Sequence, residues 1–207
     1  MSTLKKKIIM IGYSGHSYEI IECLRNDNYD IIGYFEIQKK EKNPFSLKYL
    51  GNEKDFEIYK EENCFFISIG DNKTREKISK KLVSNNLCQV NVIHKESSLS
   101  NNLKQGFGNF ISRNASVNFN SIIKNNVIVN TGSIIEHDCI INSYSHIGPG
   151  AVLCGGVNIG ESTFIGANSV VNQNIIIGNN VIVGSGTVVI KNIPDNTKVV
   201  GNPGRII

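Results

Sequence analysis

The sequence predicts two domains of different class, an α/β unit of βαβαβ order over residues 1–100 and an all-β parallel solenoid with triangular coils over residues 101–207. Two observations carry this. Strand-period and helix-period signals alternate through the first hundred residues, whereas from Ile111 onward every sixth residue is Ile, Val or Leu, without an insertion as far as Pro194. Either part has enough chain to bury a core.

In the first part, Ile8–Ile11 reads as a strand. The stretch from Ser17 to Asn26 reads as a helix with Ile20, Ile21 and Leu24 on one face, and Ile31–Phe35 as a second strand. A second helix over Asp71–Asn86, with Ile78, Leu82 and Val83 at helical spacing, lies between strands at Cys64–Ile69 and Val90–Ile93. Such alternation implies a small parallel sheet with helices on its faces, a Rossmann-like unit.

In the second part, stepping by six from Ile111 meets Val117, Ile123, Val129, Ile135, Ile141, Ile147, Leu153, Ile159, Ile165, Val171, Ile177, Val183 and Val189. The fifth position of each hexad is small or aliphatic too, from Ala115 and Ser121 to Thr187 and Ile193. Because a strand alternates sides, inward first and fifth positions leave the sixth and second outward and the third and fourth for a corner. Three hexads make one coil, which stacks each residue on the one eighteen later. This is similar to the hexapeptide-repeat pattern of left-handed parallel β-helices.

Stacking allows outward columns to be written down. Ile134, Val152, Val170 and Val188 form one apolar stripe, and Ile122, Ile140 and Ile176 another, interrupted by Asn158. Exposed stripes of this kind mark interfaces; the resemblance to hexapeptide-repeat β-helices implies that the interface is that of a homotrimer, with prisms packed side by side. A third column reads Asn130, Gly148, Gly166 and Gly184, followed at the corner by Pro149, Ala167 and Ser185. Such a ledge, short of side chains, suits a thin, extended ligand that bonds to main-chain groups, and the pantetheine arm of coenzyme A has that shape; the alternative is that glycine suits the tight coils of the repeat.

Net charge is +4, compatible with a ligand bearing phosphates but short of a nucleic-acid footprint; no Lys/Arg cluster beyond Lys5, Lys6 and Lys7 supports a DNA or RNA reading. The apolar run after them is too short for a signal peptide, and no stretch approaches a membrane span, so a cytoplasmic protein is expected. Five cysteines without CxxC spacing indicate neither a disulfide framework nor a zinc knot. Two of the four histidines lie in the repeats, His137 at a corner between Glu136 and Asp138, and His146 at an outward position. Acyl transfer to an amine or hydroxyl needs a base near neutrality, which imidazole supplies, and a carboxylate on its other ring nitrogen fixes the tautomer. Asp138 is the first candidate for that partner and Glu136 the second. A zinc site would want three imidazoles, so no metal is expected. Gly12-Tyr13-Ser14-Gly15-His16 follows the first strand and opens a helix, where an anion is held, and Glu36 ends the second strand, where a carboxylate meets a ribose hydroxyl. Gly70 extends the same rim. The full GxGxxG fingerprint is absent, which favours a nucleotide-linked substrate over a redox cofactor.

The segments GYSGH at 12–16, SIGDNKTR at 68–75, SIIEHDCIINSYSHIGPGA at 133–151 and VVGNPGRII at the end carry a resemblance over the whole chain. It resembles the bacterial nucleotide-aminosugar N-acetyltransferases and sialic-acid O-acetyltransferases, above all those acting on a UDP-linked 4-amino-4,6-dideoxy sugar on the route to bacillosamine. The resemblance implies acetyl-CoA as co-substrate, His137 as general base and Asp138 as the residue that raises its basicity. It implies that His146, Ala167 and Ser185, with Gly166 and Gly184 beside them, contact acetyl-CoA. Ser14, Gly15, His16, Glu36, Ile37 and Gly70 match the sugar-nucleotide rim, with Asn130 near the acceptor. Relatives often carry paired aspartates where this chain has Glu36-Ile37. Direct N-acetylation of a 4-amino sugar is the leading expectation; O-acetylation of a nonulosonic acid and a non-catalytic sugar-nucleotide scaffold are the alternatives.

Overall fold

A computed structural model describes residues 6–25, 29–52, 54–59 and 63–207. They form two compact units that divide between Val92 and Ile93. The division precedes residue 100 because the chain enters the coil early, with Ser98–Leu99 already pairing with Ser116–Val117. Lys5 of the basic cluster and Asn26 at the end of the expected first helix lie outside the described residues.

In the first unit, β1 (Lys6–Ile11) lies between β2 (Tyr29–Phe35) and β3 (Asn63–Ile67) in a three-stranded parallel sheet. Ile8, Ile9 and Met10 are wholly buried, as a central parallel strand covered on both faces requires. Helix α1 (Gly15–Arg25) buries Ile20, Ile21 and Leu24. Helix α2 (Asn72–Ser84) starts at an Asp71 cap whose carboxylate accepts from the Thr74 backbone N–H at 2.8 Å and its hydroxyl at 2.6 Å. These bonds hold the Asp71 carboxyl below its ordinary value. Of the three apolar residues read onto the inner face of α2, Ile78 and Leu82 are buried but Val83 is half exposed, one position past the stripe.

The expected fourth strand, Val90–Ile93, does not join this sheet as a unit. Gln89 makes an isolated bridge to Phe65, whereas Val92–Ile93 begins the first face of the solenoid. Apolar character alone cannot say which of two sheets a short run will extend. A single 3-10 turn, Phe56–Tyr59, went unread in the sequence.

The second unit is a parallel solenoid with three faces, of eight, six and five strands. Strand pairs recur every eighteen residues: Ile128–Val129 with His146–Ile147 on the first face, Ile134–Ile135 with Val152–Leu153 on the second, Ile140–Ile141 with Asn158–Ile159 on the third. Every first-position residue from Ile111 to Val189 and every fifth from Ala115 to Ile193 is buried, as the hexad pattern demands. Each buried aliphatic side chain contributes about 1.5–3 kcal/mol. Three buried hydroxyls at fifth positions are satisfied by the next coil: Ser121 donates to the Glu136 carbonyl at 2.8 Å, Ser145 to Gly160 at 2.7 Å and Thr163 to Gly178 at 2.7 Å.

The corners follow a rule of their own. From Asn114 to Gly186, the fourth residue of each hexad has φ between 53° and 71°, a left-handed conformation that explains why Asn, Asp and Gly dominate there. The outward stripes on the second and third faces stand as read, half-buried apart from the more exposed Ile176. The first face differs: Phe110, Ile128 and His146 occupy outward positions yet are buried.

Candidate active site

His137 and Asp138 occupy the third and fourth positions of a hexad, on the edge between the second and third faces. Both side chains are more than half exposed, and the His137 Nδ1 lies 2.8 Å from an Asp138 carboxylate oxygen. The left-handed turn at Asp138, φ 60°, lets neighbouring side chains meet. Its other oxygen accepts a 2.6 Å bond from the Asn120 amide one coil below. Asn120 first, then His137, hold the Asp138 carboxyl below its ordinary value. Glu136, the second candidate, instead accepts from the Asn118 amide at 2.9 Å. With the carboxylate on Nδ1, that nitrogen carries the proton and Nε2 keeps its lone pair for a substrate.

Because the folded-state value of Asp138 is depressed, its ionised form favours the fold above the unfolded value, and that contribution disappears as pH falls through the folded value. An Asn120→Ala variant is expected to move the Asp138 titration toward the ordinary carboxylate value of about 3.9. NMR titration of its carboxyl carbon checks this.

On the first face and the edge beyond it, Asn130 and His146 come together, the amide nitrogen 3.2 Å from Nε2, while the His146 ring packs edge-on against Phe164 at 5.1 Å. His146 is only 9% exposed, so the outward position read from the repeat does not make it a solvated side chain. Two of the three glycines in the column have a different cause from an open ledge. Gly148 and Gly166 are buried, and a Cβ at Gly166 would stand 2.5 Å from the Ser185 backbone nitrogen and 2.7 Å from the Val183 carbonyl. Coil packing demands these glycines. Gly184 and Ala167 are partly accessible and Ser185 is exposed, so that edge still presents a surface.

The first unit contains a cleft of about 550 Å³. Ser14, Glu36, Ile37 and Gly70 all line it; Gly15 and His16, at the start of α1, do not. Burial holds the His16 imidazole below its ordinary value, hence neutral at pH 7. Gly12, at φ 97°, permits the turn after β1, and a Cβ there would meet Ile69 at 2.7 Å. The Glu36 carboxylate accepts from the backbone N–H of Tyr13 at 3.2 Å and of Ile37 at 3.0 Å, which fixes its place at the strand end. The rim at Gly70 is fixed from beneath by Arg75, only 1% exposed, whose guanidinium donates to the Ile69 and Gly70 carbonyls at 3.0 and 2.9 Å. Burial pushes Arg75 down to about 10, still protonated at neutral pH.

Sequence reading missed Asn52, Lys54, Thr74 and Lys77 in the cleft, and Asn120 beside the His–Asp pair. Asn120 was within reach of the eighteen-residue rule; the cleft residues, two on an irregular segment and two on α2, carried no common signal. Cys139 is buried, its thiol pushed up to about 11 by burial and donating to the Cys154 carbonyl at 3.3 Å, a core residue as read. Among the described residues no group of three His, Cys, Asp or Glu is arranged to hold a metal, and no helix is long and apolar enough to cross a membrane.

Comparison with known proteins covers both units. Residues 7–82 match the PglD N-terminal domain, and residues 156–191 match the bacterial transferase hexapeptide model of six repeats. No curated protein sequence matches the chain. Among solved structures, PerB from Caulobacter crescentus, in complex with CoA and GDP-perosamine, is 29% identical with a TM-score of 0.91, over 97% of this chain and 97% of that one. The acetyltransferase domain of PglB from Neisseria gonorrhoeae, in complex with acetyl coenzyme A, is 27% identical with a TM-score of 0.93, over 98% of this chain and all of that one (100%). WeeI from Acinetobacter baumannii is 26% identical with a TM-score of 0.87, over 97% and 99%. The solenoid is thus the left-handed β-helix of these enzymes. The chain carries a match to the PglD N-terminal domain ahead of a match to the hexapeptide repeats, and its solved neighbours include acetyl-CoA-dependent sugar N-acetyltransferases.

Proposed function

We propose that this protein transfers the acetyl group of acetyl-CoA to the 4-amino group of a nucleotide-linked 4-amino-4,6-dideoxy sugar, UDP-linked in the first instance, with His137 as general base. The observation that carries this reading is the exposed imidazole, backed on Nδ1 by Asp138 at 2.8 Å, with Nε2 available to an acceptor. In the reaction, the sugar amine attacks the thioester carbonyl carbon; a C–N bond forms and the C–S bond breaks. The amine proton passes to Nε2 of His137 and on to the leaving thiolate, giving an acetamide and free CoA. Transfer is direct, since Cys139 is a buried thiol pushed up to about 11 rather than an activated thiolate.

The reading assigns the acetyl-CoA contacts to His146, Ala167 and Ser185, with Gly184 beside them; Gly166, buried under the next coil, contributes at most backbone. His137 stands on the edge between the second and third faces, whereas Ala167 and Ser185 stand between the first and second. One prism holds these on different edges, so chemistry between them calls for a second copy. The half-buried Ile134, Val152, Val170 and Val188 offer an apolar face to it, and a cytoplasmic homotrimer with sites between adjacent copies meets that need. Asn130 lies near the acceptor in this reading. In the first unit, Ser14, Glu36, Ile37 and Gly70 receive the nucleoside, Glu36 bonding the ribose, with Gly15 and His16 at the adjoining helix start. Lys54 and Lys77 supply positive charge for the diphosphate.

Reversing both charges, Lys54→Glu with Lys77→Glu, is expected to raise KM for the sugar nucleotide at least tenfold while KM for acetyl-CoA stays within twofold, as steady-state kinetics measure. The reading itself is tested by acetyl-CoA-dependent thiol release with UDP-, GDP- and dTDP-4-amino sugars, set against free and CMP-linked nonulosonic acids. Turnover with a nucleotide-linked amino sugar is expected. Release with the nonulosonic acids alone, or with no acceptor offered, overturns it.

A further inference from the structure

The imidazole of His137 lies against one residue of the next coil, Gly155, which stacks on it eighteen residues later. A Cβ built there would stand 2.6 Å from Cε1, 2.7 Å from Nε2 and 3.2 Å from Nδ1 of His137. These imidazole atoms are its nearest neighbours. That sets Gly155 apart from Gly148, Gly160 and Gly166, whose absent side chains make room for the backbone of the following coil. Nor does the chain need glycine at 155 for its path, since the left-handed residue of that corner is Gly156, at φ 70°. The three atoms nearest to the missing side chain all belong to the ring.

We infer that Gly155 is a positioning residue for the base: its bare backbone is the seat on which the His137 ring rests with Nδ1 on Asp138 and Nε2 open to the acceptor. A methyl group at 155 displaces the ring from that seat, by a shift of the size that costs about 100-fold in rate. This rests on His137 being the base, and the test separates the two claims.

Gly155→Ala is combined with His137→Ala in a double-mutant cycle read by thermal unfolding and by kinetics. In the wild-type background, Gly155→Ala is expected to lower kcat about 100-fold with both KM values within twofold, to shift or abolish the Nδ1 proton resonance of His137, and to lower Tm by about 5 °C. With alanine at 137 the same substitution costs neither Tm nor the residual rate. Equal loss of Tm or failure to fold in both backgrounds overturns the proposal, because the coil rather than the ring then needs the glycine. Wild-type kcat in Gly155→Ala, or a loss confined to KM, overturns it as well. An active His137→Ala single variant instead sinks the base assignment, whatever Gly155 does.

Discussion

Replacing His137 with alanine is expected to lower kcat about 1,000-fold, a loss of about 4 kcal/mol of transition-state stabilisation, while the affinities for acetyl-CoA and sugar nucleotide hold. The expectation follows from position. More than half of the ring is exposed, so its removal leaves no cavity, and Asp138 keeps its bond to Asn120. The fold is accordingly preserved, and circular dichroism with Tm should report a native protein. Steady-state kinetics decide the matter: a variant that loses activity through KM alone uses His137 to bind rather than to take a proton.

The largest effect on stability is expected from a substitution that looks mild. Gly166→Ala adds one methyl group where the backbone of the next coil already stands, 2.5 Å from the Ser185 nitrogen and 2.7 Å from the Gly184 carbonyl carbon and the Val183 carbonyl oxygen. Backbone cannot step aside as a side chain can, so the coils must part and strain the hydrogen bond from Gly166 N–H to Val183, now 2.8 Å. The cost is about 3 kcal/mol, roughly 10 °C in Tm, measurable by calorimetry. Gly132→Ala, whose Cβ would meet nothing within 4 Å, is the control for steric crowding; its cost is confined to the strain of a methyl at φ 64°.

These contrasts mark what was legible in the sequence. Inward and outward positions from Ile111 onward could be written down because a coil of constant length turns spacing into stacking, and the structure keeps every inward residue buried. The His–Asp pair was legible for the same reason, being adjacent in the chain and placed at a corner. The glycine column was legible as a column with two possible causes, a ledge or tight coils: sequence shows an absent side chain, not which of solvent, a ligand or the next coil fills the space. His146 shows the same limit, since an outward position is exposed only if nothing covers it. In the first unit, Ser14, Glu36 and Gly70 were readable as strand-end residues that converge at a rim, while Asn52 and Lys54 belong to an irregular segment whose path depends on long-range contacts. Val90–Ile93 failed as a strand of the first sheet because β-propensity does not name a partner.

Chemistry at a place where the His137 edge of one copy meets the Ala167 and Ser185 edge of another is the claim on which the functional reading turns. It is tested most directly by co-expressing two inactive variants with different tags, His137→Ala and Ser185→Trp, and isolating the assemblies that carry both. In every ring of three that carries both variants, one site of the three, about one third, combines an intact base with an intact cofactor edge. Activity near that fraction of wild type is the predicted result. Mixed assemblies no more active than the two parents would contradict it, and would place the base and the thioester within a single copy.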